Sequence, residues 1–133
     1  MSVENINVVR DMYDAFGRGD IAAVVASMDP DIEWNEAENF PYADRNPYIG
    51  PQAVVDGVFN RLAGEWEYWS LDHEEFFDAG DYVIVTGRYH AEHKGTGGEI
   101  RAQFAHVWQL HDGKVIRFQQ YTDTAQIASA IAT

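Results

Sequence analysis

The chain contains no cysteine, which removes disulfides, thiolate nucleophiles and cysteine-ligated zinc from the chemistry open to it. Positive charge is scarce. Nine lysines and arginines stand against 22 aspartates and glutamates, for a formal net charge of −13. A chain this acidic offers no basic stripe to displace counterions from a phosphate backbone, so neither nucleic acid nor an anionic membrane is an expected partner. No apolar run approaches the ~20 residues that cross a bilayer. The first 16 residues, interrupted by Glu4, Arg10, Asp11 and Asp14, do not read as a secretory leader, and a cytoplasmic protein is the expectation. There is no internal repeat, no glycine-rich phosphate loop and no Ser-His-Asp order.

What the chain has in quantity is apolar and aromatic surface, 46% and 14% of its 133 residues. That suffices for one globular domain, 1–133, burying roughly two thirds of its unfolded surface. From Ile100 to Leu110 alternate positions form a stripe, Ile100, Ala102, Phe104, His106, Trp108 and Leu110, and the intervening residues are mostly polar. This is the period of a strand with one buried face, and a one-residue slip would bury the charges. His106 thus sits inside an apolar stripe, where an unpartnered imidazole costs roughly 1–3 kcal/mol. It is either a core histidine satisfied by a backbone carbonyl or a group whose proton is used.

The stripe leads into Leu110-His111-Asp112-Gly113-Lys114 and a second run, Val115 to Asp123. Asp-Gly between two such runs signals a hairpin. A three-residue loop with left-handed Gly113 would close Leu110 on Lys114 and put Ile116, Phe118, Gln120 and Thr122 on the face of Trp108, His106 and Phe104. That face grades from apolar near the turn to polar near Gln120, which suits a blind pocket with a few polar groups.

Upstream, helical spacing predicts helices over 3–16 (Ile6, Val9, Tyr13, Phe16, with Ser2 as cap), 21–28 and 51–63, the last opening on Gly50-Pro51. Asp29-Pro30-Asp31 reads as a turn before a short strand at Ile32-Glu33-Trp34. The loop from 35 to 46 is too long for a plain connector and reads as a lid or rim, where Asn39, Tyr42 and, just beyond it, Tyr48 either gate a ligand or fasten the loop. Strands follow at 70–77 and 82–93, then the hairpin, then a terminal helical turn over 125–132. Helices first and a four-strand meander afterwards indicate an α+β fold with a mainly antiparallel sheet. Strand 82–89 is apolar on both faces, Val83 and Val85 on one and Tyr82 and Ile84 on the other. The helices can cover only one, so a homodimer is expected.

Several of these elements together resemble the nuclear transport factor 2-like superfamily, in particular its SnoaL-like, ketosteroid-isomerase-related branch. They are the long first helix, the Gly19-Asp20 turn, Asp29-Pro30-Asp31-Ile32-Glu33-Trp34, Gly50-Pro51, and His106-Val107-Trp108 ahead of Asp112-Gly113-Lys114. The resemblance covers nearly the whole chain. It implies a cone-shaped curved antiparallel sheet wrapped by three N-terminal helices around an internal pocket. It also implies a homodimer, in a superfamily that holds isomerases, aldol cyclases, epoxide hydrolases, dehydratases and non-catalytic binders; the expected activity is a cofactor-independent reaction of isomerase, cyclase or lyase type at a carbonyl compound. In ketosteroid isomerases a base carboxylate follows the first strand, a position filled here by Glu36. Their helix-one tyrosine falls on Met12, beside Tyr13, and their late-strand acid falls on His106. SnoaL-like cyclases pair a histidine at the His106 position with an aspartate near the end of the next strand, where this chain has Gln120, with Asp123 three residues on.

The expected catalytic pair is therefore Glu36 and His106, with Asp123 as the other candidate carboxylate. The expected ligand-contacting set is Tyr13, Trp34, Asn39, Tyr42, Phe59, Phe104, Trp108, Phe118, Gln120 and Asp123. No metal and no cofactor is expected. His90 and His93 face opposite sides of a strand, and His73 with Glu74 and Glu75 lacks a third ligand. Three readings stand at this point: Glu36 removes a proton next to a carbonyl while His106 stabilises the enolate oxygen, the pocket binds an apolar small molecule without turning it over, or the pocket is filled and vestigial.

Overall fold

The computed structural model describes residues 3–132, the side chains of His73 and Glu74 excepted. The Ser2 cap and the His73–Glu74 pairing lie outside the described residues. Helix α1 (Val3–Gly17) buries Val9, Met12, Tyr13 and Ala15 and is followed by a turn at Gly19, whose φ is 75°. Asp20 then caps α2 (Ile21–Ala26), its Oδ1 accepting the Ala23 N–H at 3.1 Å. The second helix is two residues shorter than its apolar spacing predicts, because Met28 pairs with Val115 and opens β1 (Met28–Asn35). The Asp29-Pro30-Asp31 turn survives inside that strand as a register shift, with Asp29 Oδ1 accepting the Asp31 N–H at 2.8 Å.

After a 3-10 turn (Pro41–Arg45) and the short β2 (Tyr48–Ile49), one continuous helical run covers 51–65: α3 (Pro51–Val54), a π-helical turn (Val55–Phe59) and α4 (Asn60–Glu65). The periodicity predicts one regular helix here. The π turn sits where the ring of Tyr48 presses on Gly57, so close that a Cβ there would lie 2.2 Å from a ring carbon.

Strands β3 (Trp66–Ala79), β4 (Tyr82–His93), β5 (Glu99–His111) and β6 (Lys114–Thr122) form the expected antiparallel meander, β3 running well beyond 70–77 at both ends. The sheet order is β2-β1-β6-β5-β4-β3, and β1 joins β6 in parallel, the one parallel pairing among the described strands. Helix α5 (Thr124–Ala132) packs back on β5. The result is the α+β cone that the pattern implies. Ile100 and Trp108 are buried on the same face, and Arg101 and Arg117 are exposed on the other. No described helix is long and apolar enough to cross a membrane.

The β5–β6 hairpin differs from its predicted form in a way that matters for the site. Asp112 (φ 49°) and Gly113 (φ 77°) are both left-handed, so the loop has two residues and His111 pairs with Lys114. Leu110 then pairs with Val115, not Lys114, and a register shift past Leu110 brings Gln109 opposite Arg117, leaving Ile116 as the extra residue. Val115 is buried in place of Ile116. Beyond the shift the register places Phe118 opposite Trp108 and Gln120 opposite His106.

Candidate functional site

The concave side of the sheet and the helices enclose a cavity with about 60 Å³ of room for the centres of water-sized molecules, space for a few waters or part of a small ligand. Its walls come from Met12, Tyr13 and Phe16 on α1, from Val58, Phe59 and Leu62 on the π turn and α4, and from Trp69 and Leu71 on β3. Trp34, Trp108 and Phe118 close another side, the Trp34 and Phe118 rings stacked with centroids 3.8 Å apart. The polar lining is Glu36, Tyr89, His106 and Gln120, with the Tyr13 hydroxyl.

His106 (4% exposed) is held on three sides. Phe104 stacks on its ring at 4.2 Å, the Tyr13 hydroxyl lies 2.5 Å from Nδ1, and the Tyr89 hydroxyl lies 2.6 Å from Nε2. Both tyrosines are themselves anchored. Trp108 Nε1–H donates to the Tyr13 oxygen at 3.0 Å, and Gln120 Nε2–H donates to the Tyr89 oxygen at 2.8 Å. The Gln120 amide is oriented by the Ala37 N–H, which donates to its Oε1 at 3.0 Å. Burial pushes both phenols above the ordinary tyrosine range. Where the core-histidine reading called for a backbone carbonyl, both ring nitrogens face phenol oxygens.

Glu36 (3% exposed) enters the same cavity from the end of β1. Its Oε2 accepts the Trp34 Nε1–H at 2.9 Å, and its backbone is clamped by Asn46, which accepts the Glu36 N–H at 2.9 Å and donates to the Glu36 carbonyl at 2.8 Å. Burial raises its pKa from 4.5 to about 7, partly opposed by the Trp34 hydrogen bond and the charge of Arg61. Of the carboxylates grouped near it in sequence, Glu33 meets Arg117, Glu38 is exposed and Asp44 pairs with Arg61. A buried carboxyl poised near neutrality and a phenol–imidazole–phenol set thus border one aromatic chamber.

Residues 9–118 match the SnoaL-like domain family. The chain belongs to that family. It is similar to a solved NTF2-like protein of Burkholderia thailandensis, at 38% identity over 96% of each chain with a TM-score of 0.91. An NTF2-like protein of unknown function from Burkholderia pseudomallei is 27% identical over the full length of both chains, with a TM-score of 0.90. A third structure, TerC co-crystallised with polyporic acid, shares the fold at 24% identity and a TM-score of 0.86, with 98% of this chain and 99% of that one covered. No protein of curated function matches the sequence.

Within this SnoaL-like domain Tyr13, Trp34, Glu36, Phe59, His106, Trp108, Phe118 and Gln120 line the cavity together. Four expected contacts do not. Asp123 is exposed and immediately precedes α5, its carboxylate accepting the Gln126 N–H at 3.2 Å. Asn39 is exposed, with a left-handed φ of 70° that turns the loop. Tyr42 is buried outside the cavity lining, donating to Glu65 at 2.6 Å and accepting from Trp66 at 3.2 Å, contacts that fasten the loop. Phe104 lies behind the imidazole as its stacking platform. His90 and His93 diverge, the first meeting Tyr68 and Glu99 and the second Trp66.

The residue that sequence reasoning missed is Tyr89. Its signal was available: it has the parity of Val83 and Val85 on β4, and Val85 sits opposite His106. Gly87 between them leaves the space that the Phe104 ring fills, where a Cβ would lie 2.7 Å from it.

Proposed function

We propose that this SnoaL-like domain is an acid–base enzyme that removes a proton next to a carbonyl of an apolar or aromatic small molecule. Glu36 acts as the base, and His106 with its two tyrosines forms the side that holds the developing oxyanion. The observation that carries this reading is a carboxyl of pKa about 7, fully enclosed, facing the same cavity as three coupled hydrogen-bonding groups. A base poised near the working pH combines a useful ionised fraction with a useful driving force. The aromatic walls favour a planar substrate over a sugar or nucleotide, and the crystal of the TerC structure with polyporic acid supports a small-molecule ligand in this fold. The chain's own residues supply both acid and base, which is the reading of a cofactor-independent reaction.

The test is α-hydrogen exchange in deuterium oxide. A panel of cyclic and aryl ketones is incubated with the protein, and deuterium incorporation is followed by NMR. At least one ketone that binds should exchange, and Glu36→Gln should slow exchange by about 100-fold or more. Saturable binding with no exchange across the panel would leave the non-catalytic binder in its place.

A further inference from the structure

The hydrogen ledger around His106 restricts which group can meet a ligand oxygen. Both ring nitrogens lie against phenol oxygens, at 2.5 and 2.6 Å, and one ring face is covered by Phe104. A ligand oxygen could reach an imidazole nitrogen only by displacing a tyrosine. Trp108 Nε1–H and, through the amide orientation set by Ala37, Gln120 Nε2–H are fixed donors, one to each phenol oxygen. A hydroxyl has two acceptor sites and one proton. When His106 carries its proton on Nε2, Tyr89 accepts from both Gln120 and His106, and its own O–H must turn away from them. When the proton is on Nδ1, the Tyr89 O–H is consumed by Nε2. The tautomer of His106 therefore decides whether Tyr89 has a proton to offer.

We propose that Tyr89, a residue of β4, is the hydrogen-bond donor to the substrate carbonyl, with His106 as the positioning residue that releases the Tyr89 O–H. This inference rests on the reading of Glu36 as base. The geometry favouring Tyr89 over Tyr13 is the Gln120 bridge. One side chain links the Ala37 N–H, at the peptide following Glu36, to the Tyr89 hydroxyl, at 3.0 and 2.8 Å. The bridge ties the backbone beside Glu36 to this phenol, and both side chains line the one cavity, in which the hydrogen of a carbonyl compound and its oxygen, separated by two carbons, are to be met at once. The negative charge of Glu36 also acts on Tyr89. In the step, the α C–H bond breaks, its proton goes to Glu36, and the electron pair moves to the carbonyl oxygen as an enolate that accepts the Tyr89 O–H. The proton returns from Glu36 to carbon, and Tyr89 keeps its own throughout.

The experiment compares two probes of one shape, acetophenone and α-methylstyrene, which differ in a carbonyl oxygen against a methylene. Affinities are measured by titration calorimetry and the ¹³C-labelled carbonyl stretch by infrared difference spectroscopy, for the wild-type protein, Tyr89→Phe and Tyr13→Phe. In the wild type the stretch should move to lower frequency on binding. Tyr89→Phe should abolish that shift and lower the ketone-to-alkene affinity ratio by about three- to tenfold. Tyr13→Phe removes the partner of Nδ1 but leaves the Tyr89 hydroxyl in place, so it should lower the ratio less than Tyr89→Phe does and should keep the stretch shifted. Retained α-methylstyrene binding reports that each variant is folded. A ketone that does not bind, a stretch that Tyr89→Phe leaves in place, or a loss that follows Tyr13→Phe instead would overturn the assignment. Because the readout is binding, failure of Glu36 as base appears separately, as absent exchange with an intact carbonyl shift.

Discussion

Under the proposed reaction, Glu36 sets activity and stability against each other. Its pKa is higher folded (about 7) than in the unfolded chain, for which 4.5 is the ordinary value, so the native state binds the proton more tightly. Its favourable contribution is complete below pH 4.5 and is lost as pH rises to about 7, on the order of 3 kcal/mol in all. A base must be ionised, so exchange activity should rise over the upper part of that window. Glu36→Gln should therefore match the wild type in urea unfolding at pH 4 and exceed it by a few kcal/mol at pH 8. Equal stabilities at both pH values would show that the carboxyl is hydrated. Considered in its strand alone, His106 would be cheap to delete, because an awkward polar group is removed along with some packing. The two tyrosines change that expectation. His106→Ala leaves two buried phenols without their central partner and a void under Phe104, and should cost about 2–4 kcal/mol in denaturant unfolding. A loss under 1 kcal/mol would mean that the ring does not hold the phenols.

At the scale of elements, the loop after β1 is held to the π turn and α4 by a connected set of contacts. Arg61 donates to Asp44 at 2.7 and 3.1 Å and to the Tyr48 hydroxyl at 2.8 Å, its guanidinium lies 4.5 Å over the Tyr42 ring, and Tyr48 donates to the Tyr42 carbonyl. Asn46, from the same loop, clamps the Glu36 backbone. The loop therefore positions the Glu36 carboxyl from behind. Gly57→Ala would drive a methyl group into the Tyr48 ring and should cost about 1–3 kcal/mol in thermal or denaturant unfolding. Unchanged stability would show that the π turn relaxes without moving Tyr48.

At the scale of the molecule, the convex face of β4–β6 carries apolar surface that no helix covers. Tyr82 is 40% and Tyr121 56% exposed, and they border a shallow groove with Val107, Gln109, Arg117 and Gln119. We expect a second copy of the chain to pack on this face, in keeping with the two-sided apolar pattern of β4. Sedimentation at low micromolar concentration should report about twice 15.0 kDa, and Tyr121→Glu should return the protein to a monomer without unfolding it. A monomeric wild type would sink the proposal. The charge of −13 should weaken such association at low ionic strength, so salt should favour the larger species.

Sequence by itself determined the architecture and part of the cavity lining. Period-two alternation over 100–110 assigned His106 and Trp108 to the buried face, because a slip there would bury charge, and helical spacing put Tyr13 inward. Glu36 followed from its place after the first strand in the resemblance. What only the tertiary structure decided is who meets whom across the cone. A two-residue turn and one bulge in β6 set Gln120 opposite His106, and local turn chemistry alone did not distinguish this from a three-residue loop. Tyr89 reaches His106 from the neighbouring strand past Gly87, and a contact between residues 17 apart in sequence has no local signature. The raised pKa of Glu36 likewise exists only once helices and strands have taken water away from the carboxyl, since desolvation belongs to the assembled enclosure and to no single segment.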